Sequence, residues 1–245
     1  MFRFKKFTVH DEACAMKVGT DGTLLGAWAP LYPSKQPAGQ PHVLDVGTGS
    51  GLIALMLAQR DPQARILAID IDEPSVRQAA DNFAASPWPE RLEARHCSLQ
   101  DLAAEPDRAH SFQLVVSNPP FFVDSLKNPD AARAKARHTD FLPFDQLVSH
   151  CTQLLAEDGI LALIVPAEAE PMILSLAAKH GLTPYLITRV HTRPHKPAKR
   201  TLLALYWANK AKLPNLPNLS SLFLQTEDGA PRSADYQKLC QDFYL

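Results

Sequence analysis

The chain has 245 residues, a formal net charge of −1, 46% hydrophobic residues and 21% charged ones. That size and balance suit a single large domain with small additions at its ends and enough apolar material for a sizeable core. They argue against a membrane protein, since no apolar run approaches the ~20 residues of a span, and MFRFKKFTVHDE (from Met1) lacks a signal peptide's apolar stretch, so the expected compartment is the cytoplasm.

Residues 1–40 read as a strand or hairpin plus a short helix, an N-terminal extension packed on the core. From residue 41 apolar runs alternate with amphipathic ones. HVLDV (from His42) is a strand and LIALMLAQR (from Leu52) a helix. RILAID (from Arg65) is a second strand, followed by the helix PSVRQAADNFAAS with Pro74 at a first helical position. RLEARHC (from Arg91) and FQLVVS (from Phe112) are further strands, the latter running into Asn118-Pro119-Pro120. A helix around Phe144–Ala156, the strand DGILALIVP (from Asp158), a helix over Glu168–Lys179 and the strands PYLITRV (from Pro184) and TLLALYW (from Thr201) complete the pattern. The expected fold is α/β and Rossmann-like, a seven-stranded, mostly parallel sheet with an antiparallel edge hairpin and helices on both faces. The core domain is placed at 41–210, and 211–245 is read as the linker LPNLPNLSS followed by short tail elements, a strand and a helix.

Cys14, Cys97, Cys151 and Cys240 form no CxxC pair and have no close His partner, so they are expected as isolated buried thiols with no metal site. The near-neutral charge hides a basic region. Pro171–Thr226 holds no Asp or Glu but carries Lys179, Arg189, Arg193, Lys196, Lys199, Arg200, Lys210 and Lys212, as a polyanion-binding face requires.

Asp45-Val46-Gly47-Thr48-Gly49-Ser50-Gly51 follows the first strand and opens a helix, at the carboxyl edge of the sheet where such folds bind ligands. Its pattern is GxGxG. A dinucleotide fingerprint would place its third glycine at Leu52. Asp45 beside the loop would repel a pyrophosphate and tolerate a sulfonium ligand that carries an ammonium. Asp70, about twenty residues on, is placed to accept both ribose hydroxyls of an adenosine-containing ligand. Asp72 is either part of that site or a cap of the next helix. Ser98 stands where an adenine ring would be clamped and could accept from the adenine amine, with Leu99 packing on the ring.

Asn118-Pro119-Pro120-Phe121 carries the chemistry. Two prolines fix φ and remove two amide donors, leaving the Asn118 side-chain oxygen and the Pro119 carbonyl as acceptors at the same edge. Two acceptors can bind both hydrogens of an sp2 amine, turn its nitrogen towards tetrahedral geometry and free its lone pair for attack on a methyl group. Phe121 offers a platform on which a turned-out base stacks. A glutamine amide would fit the same acceptors, so the motif specifies nitrogen rather than nucleobase.

With these residues placed, the chain resembles the class I Rossmann-fold methyltransferases over roughly residues 40–208. More narrowly it resembles the bacterial tRNA1(Val) adenine N6-methyltransferases, through MKVGTDGTLLGAWA (from Met16), VLDVGTGSGLIALMLAQR (from Val43), SNPPFF (from Ser117), ARHTDFLPFDQL (from Ala136), HTRPHKPAKRTLLAL (from His191) and the terminal DFYL. The resemblance implies that Asn118, Pro119, Pro120 and Phe121 hold a target adenine. It also implies that S-adenosyl-L-methionine is bound by Asp45, Gly47, Thr48, Gly49, Gly51, Asp70, Ile71, Ser98 and Leu99. Lys17 and Thr20 belong to a KVGTDG segment folded over the donor, Thr20 being alternatively a helix cap. Ser98 departs from the acid that family members often carry there.

The polar loop 122–140, with Arg137 and His138, is expected as an RNA-contacting flap or, failing that, a solvated loop. The tip containing Arg189, Arg193, Lys196, Lys199 and Arg200 is expected to touch phosphates, its alternative being a solvated turn. Arg3, Lys5 and Lys6 either extend this surface or alternate with a core face formed by Phe2, Phe4 and Phe7. The expected partner is tRNA, with no obligate protein partner, metal or membrane. Other readings are methylation of guanine N2, of DNA adenine or of a protein glutamine, a nicotinamide oxidoreductase, and a non-catalytic RNA-binding module.

Overall fold

The computed structural model describes residues 1–31, 40–120, 142–209 and 216–244. β1 (Phe2–Arg3) and β2 (Thr8–Val9) pair as a separate hairpin, and α1 (Thr20–Trp28) follows. The main sheet comprises β3 (His42–Val46), β4 (Arg65–Asp70), β5 (Leu92–His96), β6 (Phe112–Ser117), β7 (Leu155–Pro166), β8 (Leu182–His191), β9 (Ala198–Trp207) and β10 (Asn218–Phe223). The helices between and after them are α2 (Leu52–Arg60), α3 (Glu73–Ala84), α4 (Leu99–Ala103), α5 (Phe144–Leu154), α6 (Glu170–Lys179) and α7 (Ala234–Cys240).

The strand order is β10-β8-β9-β7-β6-β3-β4-β5, and β9 alone runs against the others. The central strands β3, β4, β6 and β7 read as largely apolar runs because both of their faces are covered. Successive side chains alternate between the faces. Val43, Ile66, Leu114 and Val116 pack with Leu25 of α1, Leu55 of α2, Phe83 of α3 and Cys240 of α7. On the other face Leu44, Leu67, Ile69 and Val115 pack with Leu102 of α4, Leu147 and Cys151 of α5, and Ile173 of α6.

The α/β class is as expected, but the sheet has eight strands rather than seven. The extra strand, β10, begins inside the stretch read as a linker. It pairs in parallel with β8, from Asn218 against Leu186 to Phe223 against His191, so the β8–β9 hairpin is one strand in from the edge. The short helix α4 is also absent from the sequence-based reading. At the other end of the chain, Phe4 stacks on Phe7 at 4.7 Å and on Tyr244 at 6.0 Å between ring centroids, while the Lys5 amide donates to the Phe243 carbonyl. Phe4, Phe7 and Val9 are buried, which favours the core-face alternative for the N-terminal aromatics, and Phe243 and Tyr244 are part of the surface they pack on.

The basic hairpin is fixed to the body by an ion pair. Glu170, at the start of α6, is 8% exposed and accepts from Arg189 Nη2 at 2.6 Å, from Arg189 Nε at 3.1 Å and from Thr201 Oγ1 at 2.9 Å. Arg189, expected to touch phosphates, is therefore engaged in holding β8 to α6, with half of its side chain still exposed. The guanidinium is the main cause that holds the Glu170 carboxyl below its usual range. A depressed acid stabilises the fold above its unfolded pKa, and the contribution is lost as pH falls through the lower folded value. Arg189→Ala should therefore lower the melting temperature at pH 7 and do so less near pH 4; an equal loss at both, by calorimetry, would refute the pairing.

Candidate active site

β3 and β6 are neighbours in the sheet but far apart in sequence, because the chain leaves β3 towards β4 and β5 and returns on its other side. This is the switch point at which α/β sheets open a crevice. The register Val46 against Ser117 puts Gly47 and Asn118 side by side at the carboxyl edge. Ser117 Oγ closes the pair by donating to the Val46 carbonyl at 2.8 Å.

The glycine loop is tied to β4. The Gly47 and Thr48 amides donate to the Ile69 carbonyl at 2.9 and 3.0 Å, and the Gly49 amide donates to Asp70 Oδ2 at 2.8 Å. Asp70 Oδ1 accepts from the Asp72 amide at 3.0 Å. One carboxylate thus shapes both the loop and the strand end that a ribose would meet. Gly49 has φ +54°, and a Cβ there would meet nothing within 4 Å, so the loop borders open space. Gly51 differs. Its Cβ would lie 2.4 Å from Phe83 Cε1, so this glycine serves the packing of α3 under the loop.

Asp45 and Thr48 lie beneath the loop. Asp45 is fully buried, Thr48 Oγ1 donates to its Oδ2 at 2.7 Å, and Oδ1 has no hydrogen-bond partner among the described residues. Burial, opposed in part by Thr48 and by the Ala54 amide in the first turn of α2, pushes the Asp45 carboxyl up to about 7. Ile71, next to Asp70, is 46% exposed and is the apolar surface left for a ring to lie on. Leu99, expected to pack on the ring, is buried in the core with Ile69 and Leu102. Ser98 caps α4: its hydroxyl accepts from the Asp101 amide at 3.0 Å and donates to Asp101 Oδ2 at 2.6 Å. Asp72 is likewise a cap, accepting from the Ser75 amide at 3.0 Å and the Ser75 hydroxyl at 2.6 Å.

Across the crevice, Pro119 is buried and Asn118 half-buried. Asn118 Oδ1 is a buried acceptor with no hydrogen-bond partner among the described residues. Burying a carbonyl oxygen without a partner costs on the order of 1–3 kcal/mol, which a donor hydrogen from a ligand would recover. Segment 10–18 runs beside this wall. Asn82 of α3 accepts from the His10 amide at 2.9 Å and donates to the His10 carbonyl at 2.7 Å and the Ser50 carbonyl at 2.8 Å. Sequence reading missed Asn82; a polar side chain on the buried face of α3 was its only signal.

Several expected residues have other duties. Lys17 Nζ donates to the carbonyls of Asp11, Glu12 and Cys14 at 2.8, 3.0 and 2.9 Å, so its three hydrogens knot the segment together and leave none for a donor molecule. Thr20 is the first residue of α1 behind Gly19, is exposed and makes no cap bond. Arg200 Nε pairs with Asp21 Oδ2 at 2.7 Å, and Arg193 Nε with Gln225 Oε1 at 2.9 Å. Arg200 is thus tied to α1 with its side chain part-exposed, while Lys196 and Lys199 are exposed ammonium groups at the carboxyl edge. Phe121, Arg137 and His138 lie outside the described residues. Two surface hollows of about 430 and 410 Å³, around His110 and Trp207 and beside Ser220 and Asp235, contain none of the glycine-loop or Asn118 residues.

The open cradle at Gly47 and Gly49, the Asp70 carboxylate, the exposed Ile71 and the orphaned Asn118 oxygen fit an adenosine-containing methyl donor beside an amine. The raised Asp45 pKa has its own consequence. A folded pKa above the unfolded one means that the group's contribution to stability is full below about pH 4 and is lost as pH rises towards 7. Asp45→Asn should therefore gain stability relative to the parent chain as pH rises from 5 to 8, as read from urea midpoints. A constant difference would show that Asp45 is not the source.

The methyltransferase small domain model matches residues 33–176. The tRNA1(Val) (adenine(37)-N6)-methyltransferase of Phocaeicola vulgatus is 43% identical over 245 residues, covering 100% of this chain and 97% of that protein. The protein of the same name from Aeromonas hydrophila is also 43% identical, with the same coverage of both. A solved structure of a predicted O-methyltransferase from Agrobacterium tumefaciens superposes with a TM-score of 0.65 at 17% identity, covering 91% of this chain and 96% of that one, a likeness of fold. The chain belongs to the methyltransferase small domain family and to the tRNA1(Val) (adenine(37)-N6)-methyltransferases that it matches from end to end.

Proposed function

We propose that the chain transfers the methyl group of S-adenosyl-L-methionine to the N6 amine of an adenine in tRNA, the adenine 3′ of the anticodon of a valine tRNA. The observation that carries the reading is the orphaned Asn118 oxygen, one residue beyond the β6 register and beside the glycine loop of β3. When bound, S-adenosyl-L-methionine supplies an electrophilic methyl group on a sulfonium centre. The residues of the chain do the rest. Asp70 and the backbone of Gly47–Gly49 hold the nucleoside end, and Ile71 lies under its ring. Asn118 Oδ1 and the Pro119 carbonyl accept the two amine hydrogens, so the lone pair is directed at the methyl carbon and the nitrogen acquires positive charge next to two acceptors. Phe121 stacks on the extruded base. Lys196 and Lys199 hold phosphates from the hairpin tip, and Arg137 and His138 are assigned to RNA contact. The reaction takes place in the cytoplasm, where tRNA is.

Labelled methyl transfer to unmodified bulk tRNA, followed by nucleoside analysis, tests this directly. N6-methyladenosine in one tRNA species is the expected product. Guanine N2 methylation, or label in DNA or protein alone, would discard the substrate and keep the acceptor chemistry. Asn118→Ala should cost about 10²-fold in turnover, the scale of losing one oriented transition-state partner, while donor affinity is retained; near-normal turnover would remove Asn118 from the reaction. Replacing Lys196 and Lys199 together by Ala should weaken tRNA binding and reduce the salt slope of log K by about 1.5, from two phosphate contacts. An unchanged slope would place the phosphate contacts elsewhere.

A further inference from the structure

Asn118 serves as an acceptor only if its amide points the right way. Its two ends, C=O and NH2, are of nearly equal size, so packing volume does not decide between them. A hydrogen bond does. Asn118 Nδ2 donates to Met16 Sδ at 3.7 Å, which leaves Oδ1 on the other side, buried and without a partner among the described residues. A thioether has lone pairs and no hydrogen. It can accept from NH2 and has nothing to give a carbonyl oxygen, so Met16 favours one of the two amide orientations.

Met16 is 48% exposed, and burial is not what keeps it in place. Its neighbours hold it. Lys17 Nζ gathers three carbonyls of the segment, the Val18 amide donates to Asp11 Oδ2 at 2.9 Å, and Asn82 binds His10 to α3 and to the glycine loop. The knot that removes Lys17 from the donor site therefore acquires a purpose: it presents the adjacent sulfur to Asn118. We propose, resting on the N-methyltransferase reading, that Met16 is a positioning residue that sets the Asn118 amide with Oδ1 towards the target amine. In the opposite orientation the amide would present its own hydrogens to those of the amine. That arrangement is repulsive and unproductive.

Met16→Leu keeps most of the volume and removes the acceptor, and Met16→Glu restores an acceptor that has no hydrogen at neutral pH. Met16→Leu should lower kcat about five- to ten-fold, the scale of one neutral hydrogen bond, with the KM for tRNA and the affinity for S-adenosylhomocysteine unchanged. Met16→Glu should recover kcat, whatever it does to the KM for a polyanion. Wild-type kcat in the Leu variant would overturn the proposal, as would a loss of turnover matched by loss of S-adenosylhomocysteine binding. The Asn118 side-chain amide, assigned in ¹⁵N spectra by its absence from Asn118→Asp, gives a readout independent of turnover. Its protons should shift and exchange faster in Met16→Leu. Unchanged signals would overturn the Met16 contact even if the parent protein methylates no tRNA, an outcome that would refute the functional reading separately.

Discussion

The site depends on one pairing: β3 against β6, in parallel, with Val46 opposite Ser117 and the Ser117 hydroxyl on the Val46 carbonyl. Shifting this register by one residue would turn every β6 side chain to the opposite face and carry Asn118 away from Gly47. Nothing in the local sequence of either strand specifies the partner. The specification comes from the burial of both faces, where Leu114 and Val116 enter one core and Val115 the other, so that a slipped strand would exchange their environments. The apolar core thus sets the spacing between the wall that holds the nucleoside and the wall that meets the amine.

Around this pairing, single polar groups serve two elements at once. Asp70 closes the glycine loop and starts α3 through the Asp72 amide. Asn82 joins the N-terminal segment to the same loop. Glu170 gathers Arg189 and Thr201 from neighbouring strands, and Asp21 meets Arg200 from 179 residues away. Each such carboxylate or amide has at least one partner from another part of the chain, and so each works as a check that those parts have met correctly.

What could be read from the sequence was what is local. Alternating apolar runs announced the α/β sheet, and GxGxG and Asn118-Pro119-Pro120 stood out because backbone shape and missing amides are properties of consecutive residues. What depends on tertiary neighbours could not be read this way. Lys17, Arg189 and Arg200 look like free cations in a string of letters, and the fold gives each an internal partner. Leu99 and Ile71 are similar in hydrophobicity, and only the sheet shows that one faces the core and the other the crevice. A short strand was expected near β10, but its start within the linker and its place in the main sheet were not, because NLSSLF is polar enough for a linker and is held as a strand by the edge of β8. Met16 opens the MKVGTDG segment, but nothing there tied it to Asn118, since that contact is with an atom 102 residues away.

The two ends of the chain interlock, Phe4 stacking on Tyr244 and the Lys5 amide bonding to Phe243. This has a consequence for the order of folding. The hairpin that leads into the Asn118 wall docks on residues far along the sequence, with Lys5 Nζ donating to the Gln241 carbonyl 236 positions on. Contacts of so large a separation carry the greatest loop-closure cost and form late. The wall of segment 10–18 is therefore expected to settle after the central sheet, so that an intact sheet is not yet a complete site.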